Sequence, residues 1–424
     1  MLDIKFIREN LEIVKHAARK KHVQIDLDRL VTIDDRRREL LKAFEAERAK
    51  QNDMSTRIAA ATGAERESMI VGMRTVKEAM ARHEEELKEV LKEWQTLMVQ
   101  VPNVPDMSVP EGDSDAANLE VRVVGDLPRF SFEPKSHIEL MLELDMLELD
   151  RGARAAGFRG YYLKNEGVRL SFALWQFVFD HFARKEGYVP LLAPSLIRRE
   201  PFIGTGYLPQ GEEDLYKTQD GDFLAGTAEV ATMSYFADEV LEARDLPKKF
   251  IAFSPCFRRE AGSHGKDTKG LIRVHEFFKL EQVVLCEANH QTSVAFHEEL
   301  TANAEQLLQA LGLPYHVVVN CGGDLGLGQV KKYDIETWVP SERKYRETHS
   351  SSYFHDFQTR RLNIRYRDAD GKVRFAHSLN NTALASPRIL VPLVENYQEA
   401  GGSVRIPEVL RPYLGGRERI ERHA

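Results

Sequence analysis

An α+β fold in two parts is what the sequence predicts, and three observations carry that prediction. The first hundred residues hold two long stretches of heptad-spaced apolar side chains with few helix breakers. A loop-like stretch rich in Asp, Asn and Gly follows, punctuated by Pro102, Pro105, Pro110 and Pro128. Beyond it, β-rich runs continue as hairpins through 250–286 and 333–380 rather than as a βαβ series, which favours an antiparallel sheet flanked by helices. A chain of 424 residues exceeds one small core, so two domains are expected, at 1–110 and 111–424.

The front part reads as a helical hairpin. Met73, Met80, Leu87, Trp94 and Val101 recur every seven residues, with Met69, Val76, His83, Val90 and Leu97 as the companion row. The earlier stretch offers Ile33, Leu40 and Met54 on one row and Leu30, Phe44 and Ile58 on the other, interrupted by Arg37, Glu47 and Gln51. Its seam is therefore partly polar. Between the two, Ala61-Thr62-Gly63-Ala64-Glu65-Arg66 is short and holds a helix-ending Gly, so the helices fold back antiparallel. Roughly 30 helical residues rising about 1.5 Å each reach about 45 Å. Periodicity alone fits a dimerising coiled coil as well as a binding arm.

Composition narrows the class. Apolar residues make up 42% and charged residues 29%, an ordinary globular balance, and no window has the length needed to span a bilayer. The opening residues lack the apolar core of a secretory signal and the acid-poor look of a transit peptide, so a cytoplasmic protein without membrane contact is expected. Cys256, Cys286 and Cys321 form no Cys-x-x-Cys pair and are read as small buried hydrophobes. The net charge of -7 argues against an indiscriminate nucleic-acid coat. Residues 1–100 hold 20 Lys/Arg against 19 Asp/Glu, leaving 39 against 47, so a polyanion contact is better placed on the front part.

In the second part a helix is expected over Leu170 to Lys185, with strands at Tyr188–Leu192, Val274–Leu285 and His316–Val319. Residues 256–281 read as strand, charged Gly-containing loop, strand. Period two puts Arg258 and Glu260 on one face of the first strand, and Arg273, His275, Phe277, Lys279 and Glu281 on one face of the second. Such a face is costly to bury unless it lines a polar cavity. Arg suits phosphate, a carboxylate accepts from an amine, and a Phe ring stacks on a base, which together make a nucleotide site. A solvent-facing hairpin with cross-strand ion pairs is the competing reading. Two familiar motifs fail: in Gly262 to Thr268, Lys266 is followed by Asp267 where a P-loop needs a hydroxyl, and Gly322 to Gly328 lacks the strand–helix setting of a dinucleotide fingerprint and reads as a turn.

Phe257 to Glu281 resembles motif 2 of the class II aminoacyl-tRNA synthetases. Asn380-Asn381-Thr382-Ala383-Leu384-Ala385-Ser386-Pro387-Arg388 resembles the seryl form of motif 3, and Gly187 to Leu196 resembles motif 1, with Pro194 at its proline. Gly226-Thr227-Ala228-Glu229, the Gly-Thr-Gly-x-Leu-Pro run at 204–209 and Glu347-Thr348-His349-Ser350 are further seryl-type marks. The opening residues and the arm also resemble bacterial seryl-tRNA synthetases, so the likeness spans essentially the whole chain.

The resemblance implies a serine-tRNA ligase that activates L-serine with ATP, as the adenylate, and transfers it to the 3′ end of tRNA(Ser), with tRNA(Sec) as a second candidate acceptor. It implies that Arg258 holds the α-phosphate and the serine carboxylate, Glu260 contacts adenine, Phe277 stacks on it and Arg388 reaches the γ-phosphate. Arg259, Val274, Thr348 and His349 join the ATP-binding group. Glu347 and Ser350 would hold Mg²⁺, and Thr227, Ala228, Glu229, Glu281 and Thr382 would form the serine pocket. No general base is needed, because the serine carboxylate is already ionised near neutral pH. In the family the arm of one subunit of a homodimer grips the long variable arm of the tRNA, and Lys42, Arg48, Lys50, Arg57 and Arg74 are candidate contacts, though each taken singly reads as a solvated helix face.

Departures from the pattern are few. His349 stands where many members have serine and either lines the site or caps a turn, the second being favoured. Glu276 replaces a common glutamine and points away from Phe277. Pro392 falls in a helix after Arg388 and predicts a kink, while Trp338, Asp334 and Glu336 share one strand face. Two other readings stand beside the ligase: a ligase loading a carrier protein, and a catalytically silent RNA-binding homologue.

Overall fold

The computed structural model describes residues 1–262, 265 and 267–422; Lys266 of the P-loop-like segment lies outside the described residues. The chain forms two compact units, one comprising Asp3–Arg19 and Val23–Pro102, the other Met1–Leu2, Lys20–His22 and Asn103–Ala424.

In the first unit, α1 (Ile4–Glu9) and α2 (Leu11–Lys20) precede α3 (Leu27–Ala60) and α4 (Gly63–Met98). The Asp26 side chain caps α3 by accepting from the Arg29 amide at 2.8 Å, satisfying one of the unpaired first-turn donors. Arg29 pairs with Glu93, Arg36 with Glu86 and His83 with Glu47. One number rises as the other falls, so the helices run antiparallel. The heptad rows on α4 are its covered face, with Leu87 buried and Met73, Val76, Met80, His83, Val90, Trp94 and Leu97 partly so. The polar interruptions have partners there: His83 Nδ1 lies 2.9 Å from Glu47, and the Arg37 guanidinium sits 5.0 Å from the Trp94 ring, a favourable cation–ring distance. The connection is shorter than expected. Only Ala61 and Thr62 separate the helices, and Gly63, at φ +60°, opens α4 rather than closing α3.

The second unit is built on an eight-stranded sheet. Its strands are β1 (Leu119–Val124), β2 (Tyr188–Leu192), β3 (Lys248–Phe257), β4 (Glu276–Cys286), β5 (Tyr315–Val319), β6 (Lys331–Val339), β7 (Lys344–His355) and β8 (His377–Ser386), in the order β1-β5-β6-β7-β8-β4-β3-β2. Every neighbouring pair is antiparallel except β2 and β3. Leu280, Val283, Val284 and Leu285 are at most 1% exposed, so β4 is covered on both sides at its centre. Two helices, α5 (Asn165–Ala183) and, after the short α6 (Glu229–Met233), α7 (His290–Ala310), cover one face of this sheet. From α7, Asn303 donates to Gln282 at 2.8 Å and His297 meets the Ser351 carbonyl at 3.0 Å. From α5, Trp175 packs edge-on against Phe253 and tilted against Phe278. Phe277, Lys279 and Glu281 alternate with these residues and face the other way.

The short α8 (Phe357–Arg361) borders that open face, while α9 (Leu390–Asn396) packs Leu390, Leu393 and Val394 into the same core as Leu307 and Leu311 of α7. The position of Pro392 removes the reason for the expected kink. Pro392 is the third residue of α9, within the first turn where amides have no intrahelical acceptor, so proline costs the helix no hydrogen bond. All three cysteines are free and buried, as expected. Among the described residues no helix is long and apolar enough to cross a membrane.

Candidate active site

The open face of β4, β8, β7 and β6 carries two adjoining cavities. The first is walled by Arg258, Glu260, Val274, Phe277, Thr348, Pro387 and Arg388, among others. The second, of about 470 Å³, is walled by Tyr207, Gly226, Glu229, Glu281, Lys332, Ser350 and Asn380, among others. Arg258, Lys279, Glu347 and Thr382 line both, so they stand where the two join.

The two strands behind this wall are shorter than the sequence pattern predicts. β3 ends at Phe257 and β4 begins at Glu276, so Arg258, Glu260, Arg273 and His275 belong to the loop between them. Period two does not sort these four. Arg258 reaches the cavity because the segment is pinned from both sides: Phe257 donates its amide to Ala225 O at 2.7 Å, and Arg258 donates its amide to His275 O at 2.9 Å. The Arg258 Nε donates to Gly226 O at 3.2 Å, and its guanidinium lies 5.4 Å from the Phe277 ring. Glu260 has φ +55°, a left-handed conformation unfavourable for a side chain with a Cβ, and pairs with Arg273 at 2.5 Å. His275 faces a different cavity, with Phe158 and Arg259.

Two β-bulges shape the rest. Between β6 and β7 the register shifts at Ile335/Glu336, with Ile335 opposite His349 and Glu336 opposite Glu347. Thr348 is thereby left without a cross-strand partner. Between β8 and β4 the register shifts at Thr382/Leu384, leaving Ala383 without one. A bulge re-aims the side chains on either side of it. Glu347 and Ser350, an odd number of residues apart, therefore share a cavity wall, as do Thr382 and Ala385. His349 is neither at a turn nor on either wall. It is 1% exposed in mid-strand, with Nδ1 2.8 Å from Thr348 Oγ1, and burial pushes its imidazole down to about 4.

Arg388 is braced between the loop and β7, donating to Ile272 O at 2.8 Å and Glu347 O at 3.1 Å. Glu347 opens into the cavity, 47% exposed, with a carboxylate oxygen 3.7 Å from Arg388. Its partial desolvation favours the neutral acid, but Arg388, Lys332, Arg258 and Lys279 outweigh this and hold it below the usual carboxylate range. On the other side, Glu229 opens α6 and is 4% exposed. Tyr207 donates to one of its oxygens at 3.0 Å and Gln358, from α8, to the other at 2.6 Å. Burial, reinforced by Glu281, pushes the Glu229 carboxyl up to about 7. Glu281, 2% exposed, accepts from Thr382 Oγ1 at 3.4 Å.

Of the residues singled out in the sequence, Arg258, Glu260, Val274, Phe277, Glu281, Glu347, Thr348, Ser350, Thr382, Arg388 and Glu229 line these cavities. Thr227 stands just behind, 1% exposed and bonded to Lys279. Ala228 is buried in a small cluster with Ala193 and Ala252, and Arg259 is held through its backbone to Asp214 O. Neither side chain lines the two cavities. Asp334 sits beside Lys332 at 3.0 Å, Glu336 pairs with His316, and Trp338 packs edge-on against Tyr345, so the tryptophan is a packing residue. No local sequence pattern points to Tyr207, Gln358 or Lys332 as wall residues or neighbours of Glu229. Period two puts Lys279 on the face that lines both cavities, and the family resemblance assigns it no role.

Two family models match the chain: "Seryl-tRNA synthetase N-terminal domain" over residues 1–105 and "tRNA synthetase class II core domain (G, H, P, S and T)" over residues 216–397. The serine–tRNA ligase of Deinococcus radiodurans is 47% identical over 419 residues, 99% of this chain and 98% of that protein. That of Brucella canis is 41% identical over 429 residues, covering 100% of both. The seryl-tRNA synthetase of Pyrococcus horikoshii, solved complexed with ATP, superposes with a TM-score of 0.92 at 36% identity over 100% of both chains. A prolyl-tRNA synthetase from Giardia lamblia, at 16% identity and a TM-score of 0.57 over 65% of this chain and 55% of that one, shares the fold. Full-length identity, the two family matches and the paired cavities agree: the chain belongs to the seryl-tRNA synthetase family, class II ligases that join serine to tRNA.

Proposed function

We propose that the first cavity binds ATP, the second binds L-serine, and seryl-adenylate forms where Arg258, Lys279, Glu347 and Thr382 line both. The observation that carries this reading is that junction: one arginine lies over an aromatic ring on the nucleotide side and borders the carboxylates of the amino-acid side. Phe277 stacks on adenine and Glu260 contacts it, with Val274 beside them. Arg258 holds the α-phosphate and the serine carboxylate, and Arg388 the γ-phosphate, as guanidinium geometry suits. Thr227, Glu229, Glu281 and Thr382 receive serine, and polar groups left unpaired by alanine exclude it.

The serine carboxylate attacks the α-phosphorus directly, and diphosphate departs with the electron pair of the broken bond. No proton moves, so the protein's work is alignment and charge neutralisation. Glu347 and Ser350 offer two oxygen donors on one wall, and Glu347 is kept ionised by its cationic neighbours. That donor set fits Mg²⁺, which is commonly held by one or two carboxylates together with substrate phosphates. Bound there, the ion would neutralise phosphate charge.

Residues 1–110 form the tRNA-binding part and 111–424 the catalytic part of a cytoplasmic homodimer. Lys42, Arg48, Lys50, Arg57 and Arg74 are all exposed on the hairpin and suit phosphate contacts with tRNA(Ser); tRNA(Sec) is the second acceptor to test. ATP–pyrophosphate exchange with each common amino acid in turn tests the reading. Exchange with serine alone is expected. Exchange with a different amino acid, or with none, overturns it.

A further inference from the structure

Lys279 is the charged side chain at the junction that the roles above leave unused. It is 7% exposed, on β4 between Phe277 and Glu281, with all three facing the cavities. Its ammonium lies 2.5 Å from Glu281 Oε2 and donates to Thr227 Oγ1 at 3.2 Å. Same-face neighbours on a strand stand about 7 Å apart. The order Phe277, Lys279, Glu281 therefore runs parallel to the order of parts in an acyl-adenylate: base, phosphoanhydride, amino acid.

The Lys279–Glu281 pair is also the electrical complement of a free amino acid. Serine carries an ammonium and a carboxylate on one carbon. A zwitterion entering between the two side chains exchanges one ion pair for two, its ammonium facing Glu281 and its carboxylate facing Lys279. Little unpaired charge is left in a buried site, where it would be expensive.

Resting on the proposed serine and ATP cavities, we infer that Lys279 is a further catalytic residue, which releases Glu281 to the serine ammonium and holds the serine carboxylate against the α-phosphorus. In that step the bond from a carboxylate oxygen to the α-phosphorus forms as the bond to the bridging oxygen of diphosphate breaks. The leaving group takes the electron pair, and Lys279 keeps its proton throughout. Arg258 approaches the same phosphorus from the Phe277 side, so the two cations flank the carboxylate and phosphate oxygens that repel each other.

The test compares serine with serinamide, which keeps the ammonium and hydroxyl but has no carboxylate. The unmutated enzyme is expected to bind serine more tightly than serinamide, by calorimetry. Lys279→Met is expected to cut serine-dependent pyrophosphate exchange on the order of 10²-fold, as loss of a transition-state charge partner does, and to narrow the preference for serine, with Arg258 holding what remains of it. Serinamide binding holds or strengthens, because Glu281 without its lysine is a freer carboxylate. Lys279→Gln is measured in the same way, and circular dichroism with a thermal melt reports on the fold of each variant. Equal losses for serine and serinamide would mean that Lys279 only braces Thr227 and Glu281, and overturn the inference. Unchanged exchange would do so too, as would the absence of any preference for serine in the unmutated enzyme, a result that stands even if neither variant folds. Absence of serine-dependent exchange in the unmutated enzyme would instead strike the underlying reading of the site.

Discussion

Glu347 and Ser350, three residues apart on one strand, face the same cavity because Thr348 bulges out of register between them. Regular alternation would send them to opposite faces. The proposed metal ligands thus depend on a single extra residue in β7, and so does the position of Glu347 opposite Arg388.

Glu347→Gln keeps the shape and hydrogen-bonding capacity of the side chain but removes the charge that Arg388, Lys332, Arg258 and Lys279 surround. We expect the Mg²⁺ concentration for half-maximal exchange to rise about tenfold or more, in the range that a lost partner interaction costs a metal site. A titration of exchange rate against Mg²⁺ measures this. An unchanged midpoint with a lower maximum would place Glu347 outside metal binding.

Arg258→Ala should lower adenylate formation on the order of 10³-fold, the loss of one preorganised charge at a reacting centre. The fold should survive, because the Arg258 side chain ties the structure together through a hydrogen bond to Gly226 O, worth about 1 kcal/mol. Single-turnover adenylation and a thermal melt separate the two effects. Near-normal adenylation would remove Arg258 from its role.

Much of this site is legible in the sequence, for a physical reason. Phe277, Lys279 and Glu281 lie on a regular strand, where period two places side chains without further information, and the seam of α4 is read by the same logic at period seven. The reading fails where regularity stops. Arg273 and His275 were assigned to a strand face, but β4 begins after them, and His275 turns to another cavity. The bulges at Thr348 and Ala383 leave no periodic trace, so nothing local marks His349 as a buried mid-strand residue. Tyr207 and Gln358 reach Glu229 from segments 22 and 129 residues away, contacts that only the folded chain brings about.

The buried Glu229 carboxyl makes stability depend on pH in a predictable direction. Burial, with Glu281 nearby, raises its folded value to about 7 from an ordinary value of 4.5. Between those values the folded chain holds a proton that the unfolded chain has released. Raising the pH through that window therefore costs stability, on the order of 3 kcal/mol if the full shift is realised. Glu229→Gln cannot ionise, so it should gain on the parent between pH 5 and pH 8, whatever its stability at pH 5. Chemical unfolding of both proteins at the two pH values measures the difference. A constant gap would mean that Glu229 is already ionised in the folded state at pH 5.

The outer half of the helical hairpin can be removed without opening a core. On α3 the buried residues end at Leu40, and on α4 they begin at Leu87. Between them side chains are partly covered or exposed, and the helices run antiparallel throughout. Excising residues 45–81 and rejoining the ends with a short glycine turn therefore leaves the inner seam, with Arg36 against Glu86, intact. If the hairpin is the tRNA contact, serine-dependent pyrophosphate exchange should be kept while charging of tRNA(Ser) falls by about tenfold or more, since Arg48, Lys50, Arg57 and Arg74 leave with the segment and each phosphate contact carries a counterion-release contribution. The loss should shrink as salt is raised, because the parent's own binding weakens with salt more steeply than that of the shortened chain. Equal charging by both proteins at low salt would show that the excised segment does not touch the tRNA, and would return the hairpin to a purely structural reading.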